Sequence, residues 1–190
     1  MIRMCRRQSI LPICLFLGLY LPFSALALSP GQTYHLTFVD VDGHKLSTTD
    51  GCFNVVVLTR REDVDKAESV GERTPDFCLG NPDYRQITVV GLDKNHSRPV
   101  RAFLTSVIRH RLDEEAKRLQ SRYSARNLTG NPRTDLFAVA DLDGSVVSKL
   151  GNQKDPPAFS VFIFDPNGHL IRQWSTLPTT EELAAALKSP

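Results

Sequence analysis

The stretch Phe159-Ser160-Val161-Phe162-Ile163-Phe164-Asp165-Pro166-Asn167-Gly168-His169-Leu170-Ile171-Arg172-Gln173-Trp174 decides how this 190-residue chain is read. Its first six residues form an apolar run of strand length. Asp165-Pro166-Asn167-Gly168 follows with the residues a tight turn requires, and Leu170 to Trp174 returns as an antiparallel partner. Behind this hairpin, Glu181 and Glu182 stand in the first turn of a closing helix that Thr179 or Thr180 can cap, with Leu183 and Leu187 facing inward. Further upstream, Val55-Val56-Val57-Leu58 is a continuous β-branched run, the mark of a central parallel strand covered on both faces.

Between these two landmarks the pattern alternates. Glu62 to Val70 reads as a helix with acids at its amino end. Ile87 to Val90 reads as a second strand and Leu136 to Ala140 as a third. Val100, Phe103, Leu104, Val107, Ile108, Leu112, Ala116 and Leu119 recur every three or four residues, which predicts a long amphipathic helix with this stripe in the core. Ahead of the central strand, Tyr34 to Val39 alternates at period two, and Asp42-Gly43 turns it into His44-Lys45-Leu46, an opening hairpin.

The amino-terminal segment stands apart. Arg3, Arg6 and Arg7 precede an apolar stretch from Ile10 to Leu21, and Ala25-Leu26-Ala27 carries the small-residue spacing of a signal peptidase site. Residues 1–27 are read as a signal peptide and 28–190 as a single domain, exported to a periplasm or secreted. The alternative is an uncleaved segment anchoring the chain in a membrane. Without the signal the chain loses three Arg, no acids and two of its four Cys. What remains is close to neutral, which excludes nucleic acid as a partner because phosphate binding needs clustered bases.

The order of elements resembles the thioredoxin fold as elaborated in the peroxiredoxin and periplasmic thiol-disulfide oxidoreductase families. The similarity rests on Phe38-Val39-Asp40-Val41-Asp42-Gly43-His44-Lys45-Leu46-Ser47 and on Phe162-Ile163-Phe164-Asp165-Pro166-Asn167-Gly168-His169-Leu170-Ile171. It implies an α/β fold, with a mixed central sheet flanked by helices and an N-terminal β-hairpin. It also implies a redox cysteine just after the central strand, where a helix amino terminus lowers the thiol pKa. This sequence has Thr59-Arg60-Arg61-Glu62-Asp63-Val64-Asp65-Lys66 there, without a cysteine. The family's cis-proline before the late strand falls in register with Phe159, while Pro156 and Pro157 lie two or three residues earlier.

The expectation is therefore a thioredoxin-fold protein without thiol-disulfide activity, acting as a binding or accessory module for a protein or small-molecule partner. Its binding surface is expected around Thr59, Arg60, Arg61 and Glu62, since ligands of open α/β sheets sit at the carboxyl ends of the strands. Cys52 and Cys78 both precede strands and approach the opposite sheet edge. They are read as a structural disulfide or, alternatively, as the redox pair of a divergent oxidoreductase or peroxidase. No cofactor and no metal is expected. His35, His44, His96, His110 and His169 lack ligand spacing, and the oxygen-rich set Asp40, Asp42 and Asp50 lacks the later glutamate of a calcium loop. Membrane contact is expected only through an uncleaved signal segment, the basic span from Arg98 to Arg126 being read as the outer face of a core helix. Asn95-His96-Ser97 and Asn127-Leu128-Thr129 fit the glycosylation acceptor pattern.

Overall fold

The computed structural model describes residues 27–92, 96–151 and 158–188. The signal segment through Leu26, Asn95, and Pro156 and Pro157 of the cis-proline question lie outside the described residues. The elements run β1 (Thr37–Val39), β2 (Lys45–Ser47), β3 (Phe53–Arg60), α1 (Val64–Arg73), β4 (Tyr84–Gly91), α2 (Arg98–Ala125), β5 (Leu136–Asp141), α3 (Ser145–Lys149), β6 (Ser160–Phe164), β7 (Leu170–Trp174) and α4 (Thr180–Leu187). Short 3-10 turns occupy Arg61–Asp63, Asp76–Cys78 and Pro132–Asp135. Helix α3 and these turns carry no periodic apolar signal long enough to read from sequence.

Five strands form one mixed sheet in the order β5-β4-β3-β6-β7. Strands β3, β4 and β5 are parallel, whereas β6 runs antiparallel to β3 and β7 antiparallel to β6. The apolar run in β3 is explained by its place: Val56, Val57 and Leu58 are fully buried at the centre, with β4 on one side and β6 on the other. Alternation then sorts side chains between two layers. Val56, Leu58, Ile87, Val89, Phe162 and Phe164 face the β1-β2 hairpin and α3. Val55, Val57, Val161 and Ile163 face Ala67 and Val70 of α1 and Leu183, Ala186 and Leu187 of α4. On that same side α2 packs Leu112, Ala116 and Leu119 on Leu136 and Ala138 of β5.

The two hairpins share one turn. In each, an aspartate carboxylate oxygen accepts from the backbone N–H groups two and four residues on: Asp40 from Asp42 and His44 at 2.9 and 2.7 Å, Asp165 from Asn167 and His169 at 2.8 and 2.8 Å. The glycine between lies at φ +89° in the first (Gly43) and +83° in the second (Gly168), a conformation that a side chain strains. The second turn is also crowded, because a Cβ on Gly168 would stand 2.6 Å from the carbonyl oxygen of Tyr34. Helix α4 begins with a capping box, Thr179 Oγ1 accepting from the Glu182 N–H at 3.2 Å and Glu182 Oε2 accepting from the Thr179 N–H at 2.7 Å.

The apolar stripe of α2 divides in two. Leu112, Ala116, Leu119 and Tyr123 are buried, but Phe103 keeps 66% of its surface exposed and Val100 and Val107 are exposed as well. The expectation of one continuous core helix holds for its second half only. β5 is six residues long and an edge strand, so the sheet ends before a 28-residue helix does.

Candidate functional site

The carboxyl ends of β3, β4 and β5 fall on one sheet edge, with Arg60 paired to Gly91 and Gly91 to Asp141. Thr59, buried in β3, spends its hydroxyl on the Arg60 carbonyl at 3.2 Å. Arg60 forks onto Asp63 through Nε at 2.9 Å and Nη2 at 2.6 Å, and Lys66 closes on the same carboxylate at 2.9 Å. The hydrogen bonds from Lys66 and Arg60 hold the Asp63 carboxyl below its ordinary range. Where the resemblance implies a thiolate, this chain has an ion cluster of two cations on one carboxylate. Of the four residues expected to form a binding surface, Thr59 and Arg60 are thus occupied within the protein. Arg61 and Glu62 are exposed.

Arg61 opens onto a cavity of about 180 Å³. One wall is α1, through Val64 and Ala67; the floor is Thr88 and Val90 of β4; the other wall is the under-packed half of α2, through Phe103, Leu104, Val107 and Ile108. Charged groups stand at its edges. Glu68 and Glu115 are both engaged by Arg118, at 2.6 and 3.4 Å. Burial pushes the Glu115 carboxyl above its usual range, and the neighbouring Glu68 adds to this while Arg118 opposes it. Arg61 and Arg111 line the same cavity and make no ion pair or side-chain hydrogen bond among the described residues. By sequence, Phe103, Leu104, Val107 and Ile108 are core positions and Arg111 is unmarked. The available signal is a stripe longer than an edge strand can cover.

The cysteines lie elsewhere. Cys52 and Cys78 are free thiols, both buried, and no bridge joins them. Cys78 packs with Val55 and Val57 on the α1 side of the sheet. Cys52 lies just before β3, where its carbonyl accepts from the Asn54 side-chain amide at 2.9 Å. Their electrostatic surroundings differ accordingly: Cys52 senses Arg85, Asp50 and Asp83, and Cys78 senses Arg122. Both precede neighbouring strands, as expected, and they are unbridged in this structure. Burial pushes the Cys78 thiol up to about 12, against a weaker opposing pull from Arg122, and raises that of Cys52 as well.

Asp40, Asp42 and His44 bring three metal-capable side chains together. Each is already committed. Asp40 accepts from two backbone N–H groups and pairs with His44 Nδ1 at 2.8 Å, while Asp42 is clamped by Arg109 at 2.7 Å and by Arg133. A cation there would displace two arginines. Asp50 is apart from this group, paired with Arg85 at 2.9 Å.

A mixed five-stranded sheet in this order, with helices on both sides and a hairpin ahead of it, is a thioredoxin-like fold. The C-terminal domain of a Bacteroides thetaiotaomicron protein named as a thiol-disulfide oxidoreductase matches it with a TM-score of 0.50 at 12% identity, over 84% of this chain and 94% of that one. The exposed lipoprotein thioredoxin Etrx1 of Streptococcus pneumoniae gives 0.49 at 15% identity, over 82% and 98%. StoA of Bacillus subtilis gives 0.45 at 12% identity, over 84% and 100%. No family model and no curated protein matches the sequence. Among the described residues no helix is long and apolar enough to cross a membrane.

Proposed function

We propose that this chain is an exported thioredoxin-fold protein that has left thiol-disulfide chemistry and works as a binding or accessory module. The observation that carries the reading is the occupant of the redox position: an Arg60-Asp63-Lys66 ion cluster stands after β3, and the two described thiols are buried away from it. Only a thiolate attacks a disulfide or a peroxide, and a thiol pushed up to about 12 holds a vanishing fraction of thiolate at neutral pH. The cavity between α1 and α2, which Arg61 lines beside that position, we take as the binding site. Export rests on the signal pattern in residues 1–27; cleavage after Ala27 would start the mature chain at Leu28, whose side chain is buried in the core.

Insulin reduction and peroxide consumption by the purified exported protein test the reading. Neither is expected. Turnover that disappears in Cys52→Ser or Cys78→Ser would instead establish the oxidoreductase or peroxidase alternative. Intact mass of the same sample, with and without reductant, reports the amino terminus and the cysteine state.

A further inference from the structure

We infer that the cavity between α1 and α2 binds a small apolar anion, a monocarboxylate with a short acyl or single-ring body; this rests on the binding-module reading above. Its walls are Val64, Ala67, Val90, Leu104, Val107 and Ile108, so its interior rewards burial of hydrocarbon and offers little to a sugar or another polyhydroxylated ligand. The volume of about 180 Å³ equals roughly six waters of liquid, the bulk of a short chain, and is below the ~300 Å³ at which drug-sized pockets begin.

Charge decides between apolar ligands. Four charged residues line the cavity. Glu68 and Glu115 share a single counter-charge, Arg118, at 2.6 and 3.4 Å, and burial raises the Glu115 pKa. Arg61, in the 3-10 turn before α1, and Arg111, on α2, make no ion pair among the described residues, so the three arginines and two glutamates at the cavity leave one positive charge in excess. A guanidinium donates in a planar fork that matches a carboxylate, and two of them line this cavity. Phe103, largely exposed, adds an aromatic ring to the same lining. The occupant that satisfies both features has an apolar body and one carboxylate.

Octanoate is the probe, titrated into the mature protein by calorimetry beside octan-1-ol, octylammonium and acetate at equal ionic strength. Saturable one-to-one binding of octanoate is expected, at least tenfold tighter than octanol or octylammonium, with acetate not binding. Arg61→Gln and Arg111→Gln, both at exposed positions, should each weaken octanoate about tenfold, and 0.5 M salt should do the same. Val107→Trp, placing a ring at the mouth, should abolish binding without lowering the melting temperature. Equal affinity for octanol and octanoate, no saturable binding of any probe, or unchanged binding in Val107→Trp would overturn the assignment. Because thiol turnover is measured separately, a failure here leaves the loss of redox chemistry standing, and turnover there leaves the octanoate result readable.

Discussion

The hydroxyl of Tyr123 donates to the carboxylate of Asp135, and the same Asp135 oxygen accepts from the Gly80 N–H at 2.9 Å. Tyr123 belongs to α2, Asp135 lies directly before β5, and Gly80 sits in the loop after Cys78. One carboxylate thus fastens three segments, and it does so at the second half of α2, which is the buried half. Removing the hydroxyl in Tyr123→Phe should cost about 1.5–3 kcal/mol, the range for a hydrogen bond to a charged acceptor. Urea unfolding followed by tryptophan fluorescence measures it, Trp174 being the chain's one tryptophan.

The division of α2 predicts unequal costs along one helix. Leu112→Ala and Leu119→Ala remove side chains buried against β5 and should each destabilise by about 2–4 kcal/mol. Phe103→Ala removes a larger side chain that is mostly exposed and should change stability by less than about 0.5 kcal/mol. Equal losses at both ends would mean that the first half of α2 is packed in solution.

Alkylation kinetics read the thiols directly. In the native protein Cys78 should react with iodoacetamide far more slowly than a free cysteine at pH 8. Its rate should keep rising between pH 8 and pH 10.5 with no plateau, because the thiol titrates only at about 12. A plateau below pH 9 contradicts the burial that raises it. After denaturation both Cys52 and Cys78 should label without reductant.

Asp76 sets part of the acid limit. The hydrogen bond from Arg122, at 2.7 Å, holds its carboxyl below the ordinary range; burial opposes this and Arg126 adds to it. A carboxyl depressed in the folded state stabilises the fold at pH above its unfolded value, near 3.9, and that stability is lost as pH falls through the lower folded value. Asp76→Asn should therefore destabilise at pH 7 and converge on the parent near pH 2. The side chain is 38% exposed, so the difference at pH 7 should stay under about 1 kcal/mol. Chemical denaturation at pH 7, 4 and 2 resolves it.

Gly168→Ala should cost more than the same change at Gly43. Both glycines have positive φ, but only Gly168 also faces backbone: an alanine methyl there would stand 2.6 Å from the Tyr34 oxygen, whereas one at Gly43 would meet nothing within 4 Å. A loss above about 2 kcal/mol at Gly168 against about 1 kcal/mol at Gly43 is expected from the melting temperatures.

The sheet was legible because its signals are local. Asp40-x-Asp42-Gly43-His44 and Asp165-x-Asn167-Gly168-His169 each close their own turn through one carboxylate, and Val55 to Leu58 can be satisfied only by burial on both faces. The thioredoxin-like order followed from those pieces. The cavity was not legible, since periodicity reports that Phe103 and Val107 share a face with Leu112 without reporting where β5 ends. The pairing of the cysteines was not legible for a related reason. Sequence places Cys52 and Cys78 at the same sheet edge, but only the folded structure shows them unbridged. Arg61 stood out for its place after β3; Arg111, fifty residues further on, joins the same cavity lining only through the tertiary packing of α1 and α2.

Helix α2 is a beam of about 42 Å clamped at one end. Leu112, Ala116, Leu119 and Tyr123 fix the inner part, Arg109 adds a tie to Asp42 at 2.7 Å, and the tip at Arg98 reaches about 20 Å past the first buried leucine. A cantilever turns a small tilt at its clamp into a large sweep at its tip. An occupant lodged beneath Leu104 and Ile108 would sit close to that fulcrum, and a dye at the amino-terminal end of α2 would test whether filling the cavity tilts the helix, well away from the atoms that touch the ligand.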